Sequence, residues 1–181
     1  MVYIILGNGF EEIEAVAPMD ILRRGGVDVS YAGVDSAIVK GGHDIHIKCD
    51  TLVRDIDPDK VDMLIIPGGL GGVESVEASG EAMSLIKKVY EKGRSLAAIC
   101  AGPRILASLK ILEGVKAVCY PGMEEQMGGA VIDNSLKAVT DGRIITGRGP
   151  GTALDFGLEI LKYLKGVDKA KEIASDMTYD Y

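Results

Sequence analysis

Three short stretches of this chain carry residue types that can do chemistry together. Cys100 stands at the end of Leu96-Ala97-Ala98-Ile99 and is followed by Ala101-Gly102-Pro103. The apolar run reads as a strand covered on both faces, and proline is tolerated in a first helical turn, so Cys100 falls on a strand-to-helix corner. A sulfur held there lies near the N–H groups and positive dipole end of the next helix, which favours the nucleophilic thiolate. The other reading of Cys100 is a small buried hydrophobe. Glu14, in Gly7-Asn8-Gly9-Phe10-Glu11-Glu12-Ile13-Glu14, falls among the apolar positions Ile13, Val16 and Ala17. Burial there would raise its pKa, and a protonated carboxyl could donate a hydrogen bond to the Cys100 sulfur, the two titrating as a coupled pair. Its other reading is a helix carboxylate directed at solvent. Pro67-Gly68-Gly69-Leu70-Gly71-Gly72 follows a third strand. It either brings bare N–H groups up to the sulfur to hold an oxyanion or serves only as a loop needing glycine backbone angles.

Other chemistries fit these residues less well. Gly7-x-Gly9 has Glu12 where a dinucleotide fingerprint needs its third glycine, and three nearby carboxylates would repel a pyrophosphate. The glycine run lacks the Gly-Lys-Ser/Thr ending of a P-loop. Glu11 and Glu12 read as first-turn carboxylates that suit the helix dipole. His43 and His46 are the only histidines, and residues three apart on a strand face opposite ways, so we expect no metal site and a solvated or dimer-contact role. Cys49, Cys100 and Cys119 contain no C-x-x-C pair, which fits neither a disulfide framework nor zinc and points to a reducing compartment. Arg148, at the start of the last helix, either binds a carboxylate or pairs with one.

The elements that must position these residues follow from patterning. Strands are expected at 2–6, 27–32, 63–66, 96–99 and 115–119, with a small hairpin or irregular excursion over 36–51. Two or three short strands follow at 130–132, 136–139 and 143–146, separated by Asp-Asn and Asp-Gly turns. The first helix shows Ile13, Val16, Ala17, Ile21 and Leu22 as its apolar side; others run over about 79–92, through Leu109, and from about 147 onward with Leu154, Leu158, Leu161 and Leu164 as a stripe. The tail from 175 is polar and acidic. Strands alternating with helices imply a mostly parallel, doubly wound α/β sheet, whose ligands collect beyond the carboxyl ends of the strands. At 181 residues we expect one domain spanning 1–181, with no repeat and no linker.

Composition narrows the partners. A net charge of −7 without a basic stripe argues against nucleic acid or an anionic membrane as the main partner. The start Met1-Val2-Tyr3-Ile4 shows no basic leader and no apolar run approaches membrane-spanning length, so a cytoplasmic location is expected.

Taken together, Glu11-Glu12-Ile13-Glu14-Ala15-Val16, Pro67-Gly68-Gly69, Ala97-Ala98-Ile99-Cys100-Ala101-Gly102-Pro103 and Arg148-Gly149-Pro150-Gly151-Thr152, in this order, resemble the DJ-1/ThiJ/PfpI superfamily. The similarity is greatest to the branch of the parkinsonism-associated protein deglycase and its bacterial relatives. It implies a flavodoxin-like three-layer sandwich of the class I glutamine amidotransferase type, usually a homodimer, with an oxidation-sensitive cysteine on a nucleophile elbow and no cofactor. By position Cys100 would be that cysteine, Glu14 its hydrogen-bonding acid, and Gly68, Gly69 and Ala101 the anion-binding pocket. The activities implied are conversion of methylglyoxal or glyoxal to hydroxy acids, removal of glycation adducts, redox sensing through a cysteine sulfinate, and a holdase role. Several members place a histidine just before a proline after the next strand; here Tyr120 precedes Pro121. Position 101, where protease-like relatives carry histidine, is alanine, so a protease or amidotransferase is not expected. Tyr120 and Arg148 remain as accessory candidates. Position 43, an arginine near the dimer interface in well-known members, is histidine. Two functions therefore compete: a weak, cofactor-independent enzyme acting on small aldehydes or glycated substrates, and a redox sensor or chaperone-like homodimer in which Cys100 is oxidised. A degenerate member that only binds a small ligand is the third.

Overall fold

The structure, a computed structural model, describes residues 1–181. Its centre is a seven-stranded sheet built from β1 (Val2–Leu6), β2 (Val29–Gly33), β5 (Thr51–Leu52), β6 (Met63–Ile66), β7 (Ser95–Ile99), β10 (Ala138–Asp141) and β11 (Ile144–Gly147). The order is β10-β11-β7-β6-β1-β2-β5, parallel throughout except where β10 pairs antiparallel with β11. A parallel strand with both faces covered must be apolar along its length, and β6 (Met-Leu-Ile-Ile) and β7 (Ser-Leu-Ala-Ala-Ile) are buried at every residue. The helices are α1 (Glu12–Arg24), α2 (Leu70–Ala78), α3 (Gly80–Glu91), α4 (Pro103–Ser108), α5 (Ala153–Lys165) and α6 (Val167–Asp176). The chain is thus the expected α/β sandwich with helices on both faces of a mostly parallel sheet. Outside it stand a hairpin of β3 (Ile38–Lys40) and β4 (His46–Lys48), and a small parallel pair of β8 (Lys116–Ala117) with β9 (Val131–Ile132). No helix is long and apolar enough to cross a membrane.

Several expectations need correction. The glycine run expected as a loop holds a whole helix: Gly69 takes φ +81° and caps α2, whose Val73 and Val76 are buried while its glycines let the helix lie against the backbone of residues 7–10. Helix α6 was not foreseen: it follows the Gly166 break, ahead of the tail expected from 175, and buries Ala170, Ile173 and Ala174. The strand expected at 115–119 shrinks to β8.

The buried face of α1 also differs. Apolar identity pointed to Ile13 and Val16, yet these are 55% and 46% exposed, whereas Glu12 and Glu14 are buried with Ala15, Pro18, Met19, Ile21 and Leu22. Two carboxylates can turn inward because N–H donors wait for them, and the displaced apolar side chains then face outward. Glu12 accepts from the His43 N–H at 2.7 Å and lies 2.9 Å from His43 Nδ1, which ties the hairpin to the start of α1. Glu12 is thus a buried structural acid, not a free first-turn charge.

Candidate active site

Strand β7 ends at Ile99, and the next residue turns the chain so sharply that Cys100 adopts φ +65°, a left-handed conformation that is costly for a residue with a side chain. The elbow is pinned on both sides: the Cys100 N–H donates to Gly147 O and the Tyr120 N–H donates to Cys100 O, each at 3.0 Å. Gly102 is required behind it, since a Cβ there would come within 2.7 Å of Ile66 O. The sulfur is held at the carboxyl edge of the sheet between two helix starts, with the N–H groups of Gly69 and Ala101 directed at it.

Glu14 reaches the same point from α1. It is fully buried, its Oε2 accepts the Gly68 N–H at 2.7 Å, and its carboxyl group and the Cys100 side chain both lie against Gly68. Oε1 is buried without a hydrogen-bond partner. Gly68 makes the approach possible: a methyl group there would lie 2.6 Å from Glu14 Oε2, 2.7 Å from Cys100 Cβ and 3.0 Å from the sulfur. Gly68→Ala is therefore expected to push acid and thiol apart, lowering the iodoacetamide rate at Cys100 at least about tenfold and destabilising the fold by about 1–3 kcal/mol, measured by alkylation kinetics and thermal unfolding.

Burial pushes Glu14 up to about 7, against the opposing N–H of Gly68. Burial, joined by the charge of an ionised Glu14, pushes the Cys100 thiol up to about 12, against the N–H groups of Gly69 and Ala101. Desolvation thus opposes the two N–H groups that favour the thiolate, and the charge on Glu14 decides between them. In contact, the two groups lose protons as a pair, one near neutrality and the second in strong alkali. Between those steps the pair holds one proton and one negative charge.

The surrounding cleft is about 500 Å³ and is lined by Glu11, Gly69, Leu70, Cys100, Ala101, Arg104, Tyr120, Met123, Gln126 and Pro150. Of the accessory candidates, Tyr120 is on its wall, half exposed, where a histidine was sought. Arg148 is not: it donates to Asn134 O at 3.1 Å and lines a neighbouring depression beyond Tyr120. Gly68 belongs to the site in another role than expected, its N–H being spent on Glu14 instead of facing an anion. Neither histidine lines the cleft. The residue that sequence reasoning missed is Arg104, in the first turn of α4 just after the elbow; its place directly after Ala101-Gly102-Pro103 was the available signal. Glu11, Glu12 and His43 offer ligand atoms within 4.8 Å of one another, but Glu12 and His43 already satisfy each other.

The sequence model described as the DJ-1/PfpI family matches residues 1–163. Protein dj-1beta of Drosophila melanogaster is 36% identical over 181 residues, covering 98% of this chain and 96% of that protein. A protein named deglycase from Pyrococcus abyssi is 32% identical over 165 residues, covering 91% of this chain and 99% of its own. DJ-1 homolog B of Arabidopsis thaliana is 36% identical over 97% of this chain, which spans only 41% of that longer protein. Among solved structures, Drosophila DJ-1beta superposes with a TM-score of 0.94 at 36% identity, covering 99% of this chain and 98% of that one. Oxidised Toxoplasma gondii DJ-1 superposes with a TM-score of 0.94 at 33% identity, covering 99% and 98%.

Proposed function

The chain belongs to the DJ-1/PfpI family, and from that membership we propose that it is a cytoplasmic stress-response protein whose Cys100 performs slow, cofactor-independent glyoxalase or deglycase chemistry on reactive aldehydes or their glycation adducts. The observation that carries this reading is the buried Glu14 placed against a strained elbow cysteine, with two N–H groups aimed at the sulfur. The thiolate adds to an aldehyde carbon, the carbonyl electron pair moves to oxygen, and protonation gives a hemithioacetal. With methylglyoxal, a proton then passes from the former aldehyde carbon to the neighbouring carbonyl carbon by way of an enediol, leaving a thioester that water cleaves to a hydroxy acid and free Cys100. One water is consumed and no oxidant is needed. Glu14 carries the proton between these steps, and the backbone N–H groups of Gly69 and Ala101 hold the oxyanion. A positioned general base is worth about 10² to 10⁴ in rate, so with Tyr120 in place of an imidazole turnover should be modest. The test is formation of lactate from methylglyoxal without added cofactor, in wild type and in Cys100→Ser.

A second reading is favoured by the same N–H groups: a sulfinate at Cys100 would be held by them and by protonated Glu14, making the protein a redox sensor without turnover. Selective peroxide oxidation at Cys100 with no lactate formed would favour it.

The exposed apolar side chains Ile13 and Val16 on α1 and Ile45 on the hairpin, which hydrogen bonds tie to that helix, support assembly as a homodimer through this face. Val16→Glu should then convert the dimer to monomer in sedimentation experiments; an unchanged sedimentation coefficient would place the contact elsewhere.

A further inference from the structure

Arg104 is the only basic residue on the wall of the Cys100 cleft, and it is held there. Its Nε and Nη2 donate to the two carboxylate oxygens of Glu77 at 3.0 and 2.8 Å, a fork that fixes the plane of the guanidinium. The side chain is 23% exposed, and Nη1 has no partner in the protein. A preorganised guanidinium with three spare N–H donors, two of them on Nη1, suits a carboxylate or a phosphate. The other charged wall residue, Glu11, has an oxygen 3.7 Å from His43 Nδ1, so part of its field is turned towards the hairpin. The cleft, about 500 Å³, is also more than a three-carbon dicarbonyl fills and falls within the usual range for small-molecule sites.

We propose that Arg104 is a specificity-determining residue, selecting 2-oxoaldehydes whose remote end carries an anionic group, carboxylate above all, over neutral ones such as methylglyoxal. The inference rests on the reading of Cys100 as the nucleophile. The bonds made and broken are those given for methylglyoxal; the added group only docks, accepting hydrogen bonds from Nη1 while the aldehyde carbon meets the sulfur.

Two alkylating agents of nearly the same shape test this without turnover. The anionic iodoacetate and the neutral iodoacetamide are compared by their rates at Cys100 in the full-length protein. The ratio of the two rates is expected to fall about tenfold in Arg104→Gln, to be partly kept in Arg104→Lys, and to be kept or raised in Glu77→Gln, which leaves the cation in place. An unchanged ratio in Arg104→Gln, or an equal fall in Glu77→Gln, would overturn the assignment. Inertness of Cys100 to both agents would instead defeat the nucleophile reading itself, so the two failures are distinguishable.

Discussion

Cys100→Ser should reduce methylglyoxal turnover to background, a loss of at least roughly 10³-fold, because the hydroxyl is a far weaker nucleophile near neutral pH and no imidazole stands beside it to take its proton. Serine fits where the sulfur sat, and the elbow is held by backbone hydrogen bonds that do not involve the side chain, so unfolding temperature should change little. The other thiols do not substitute. Cys49 and Cys119 are both buried and neither lines the cleft that opens onto Cys100. Iodoacetamide should therefore label Cys100 first in the wild type, and mass spectrometry of a partial alkylation checks it. Turnover that persists in Cys100→Ser, or first labelling at Cys49 or Cys119, would remove Cys100 from the chemistry.

Glu14→Gln should slow alkylation of Cys100 at neutral pH by about 100-fold and move its pH midpoint up about two units, equivalent to about 2.7 kcal/mol. The sign of this effect identifies where the shared charge sits. If Glu14 keeps the proton, the acid donates from Oε1 to a thiolate that also accepts from two N–H groups, and the otherwise unpartnered Oε1 is satisfied. Replacing that donor by a neutral amide weakens the thiolate. If Glu14 were the ionised member, its removal would take away a repelling charge and the cysteine would react faster. The same substitution bears on stability. The native pair holds until about pH 7 a proton that an unfolded glutamate loses near 4.5, so the folded protein loses stability as pH rises through that window, by about 3 kcal/mol at its upper end. Glu14→Gln should flatten that loss, seen as denaturation midpoints that no longer fall between pH 5 and 7. A stability cost at the site, offset elsewhere in the fold, is what a strained and desolvated functional pair requires.

Much of this arrangement was legible in residues 96–103, because a continuous apolar run followed by Ala-Gly-Pro allows few conformations other than a buried strand turning into a helix. The alternation of strands and helices likewise led to the parallel sheet. What stayed hidden has physical causes. The inward face of α1 was misread because apolar periodicity cannot foresee that Gly68 and His43 supply N–H groups for Glu14 and Glu12. Helix α2 was hidden by its own glycines, which have low helix propensity but are needed where the helix backbone meets residues 7–10. The desolvation that opposes the thiolate was hidden for a related reason: spacing reveals the helix starts near a sulfur, while burial depends on everything packed around it. Arg104 escaped because its position in the cleft depends on Glu77, 27 residues away in sequence.

The charge on the pair can be read without any substrate. The difference in ultraviolet thiolate absorbance between wild type and Cys100→Ser, followed as pH is raised, isolates this one sulfur from Cys49 and Cys119. A charge shared as acid and thiolate predicts one thiolate per chain appearing with a midpoint near 7, where the pair loses its first proton. Absence of any thiolate signal until the pH approaches 12 would show that Glu14 takes the charge and that Cys100 stays a thiol.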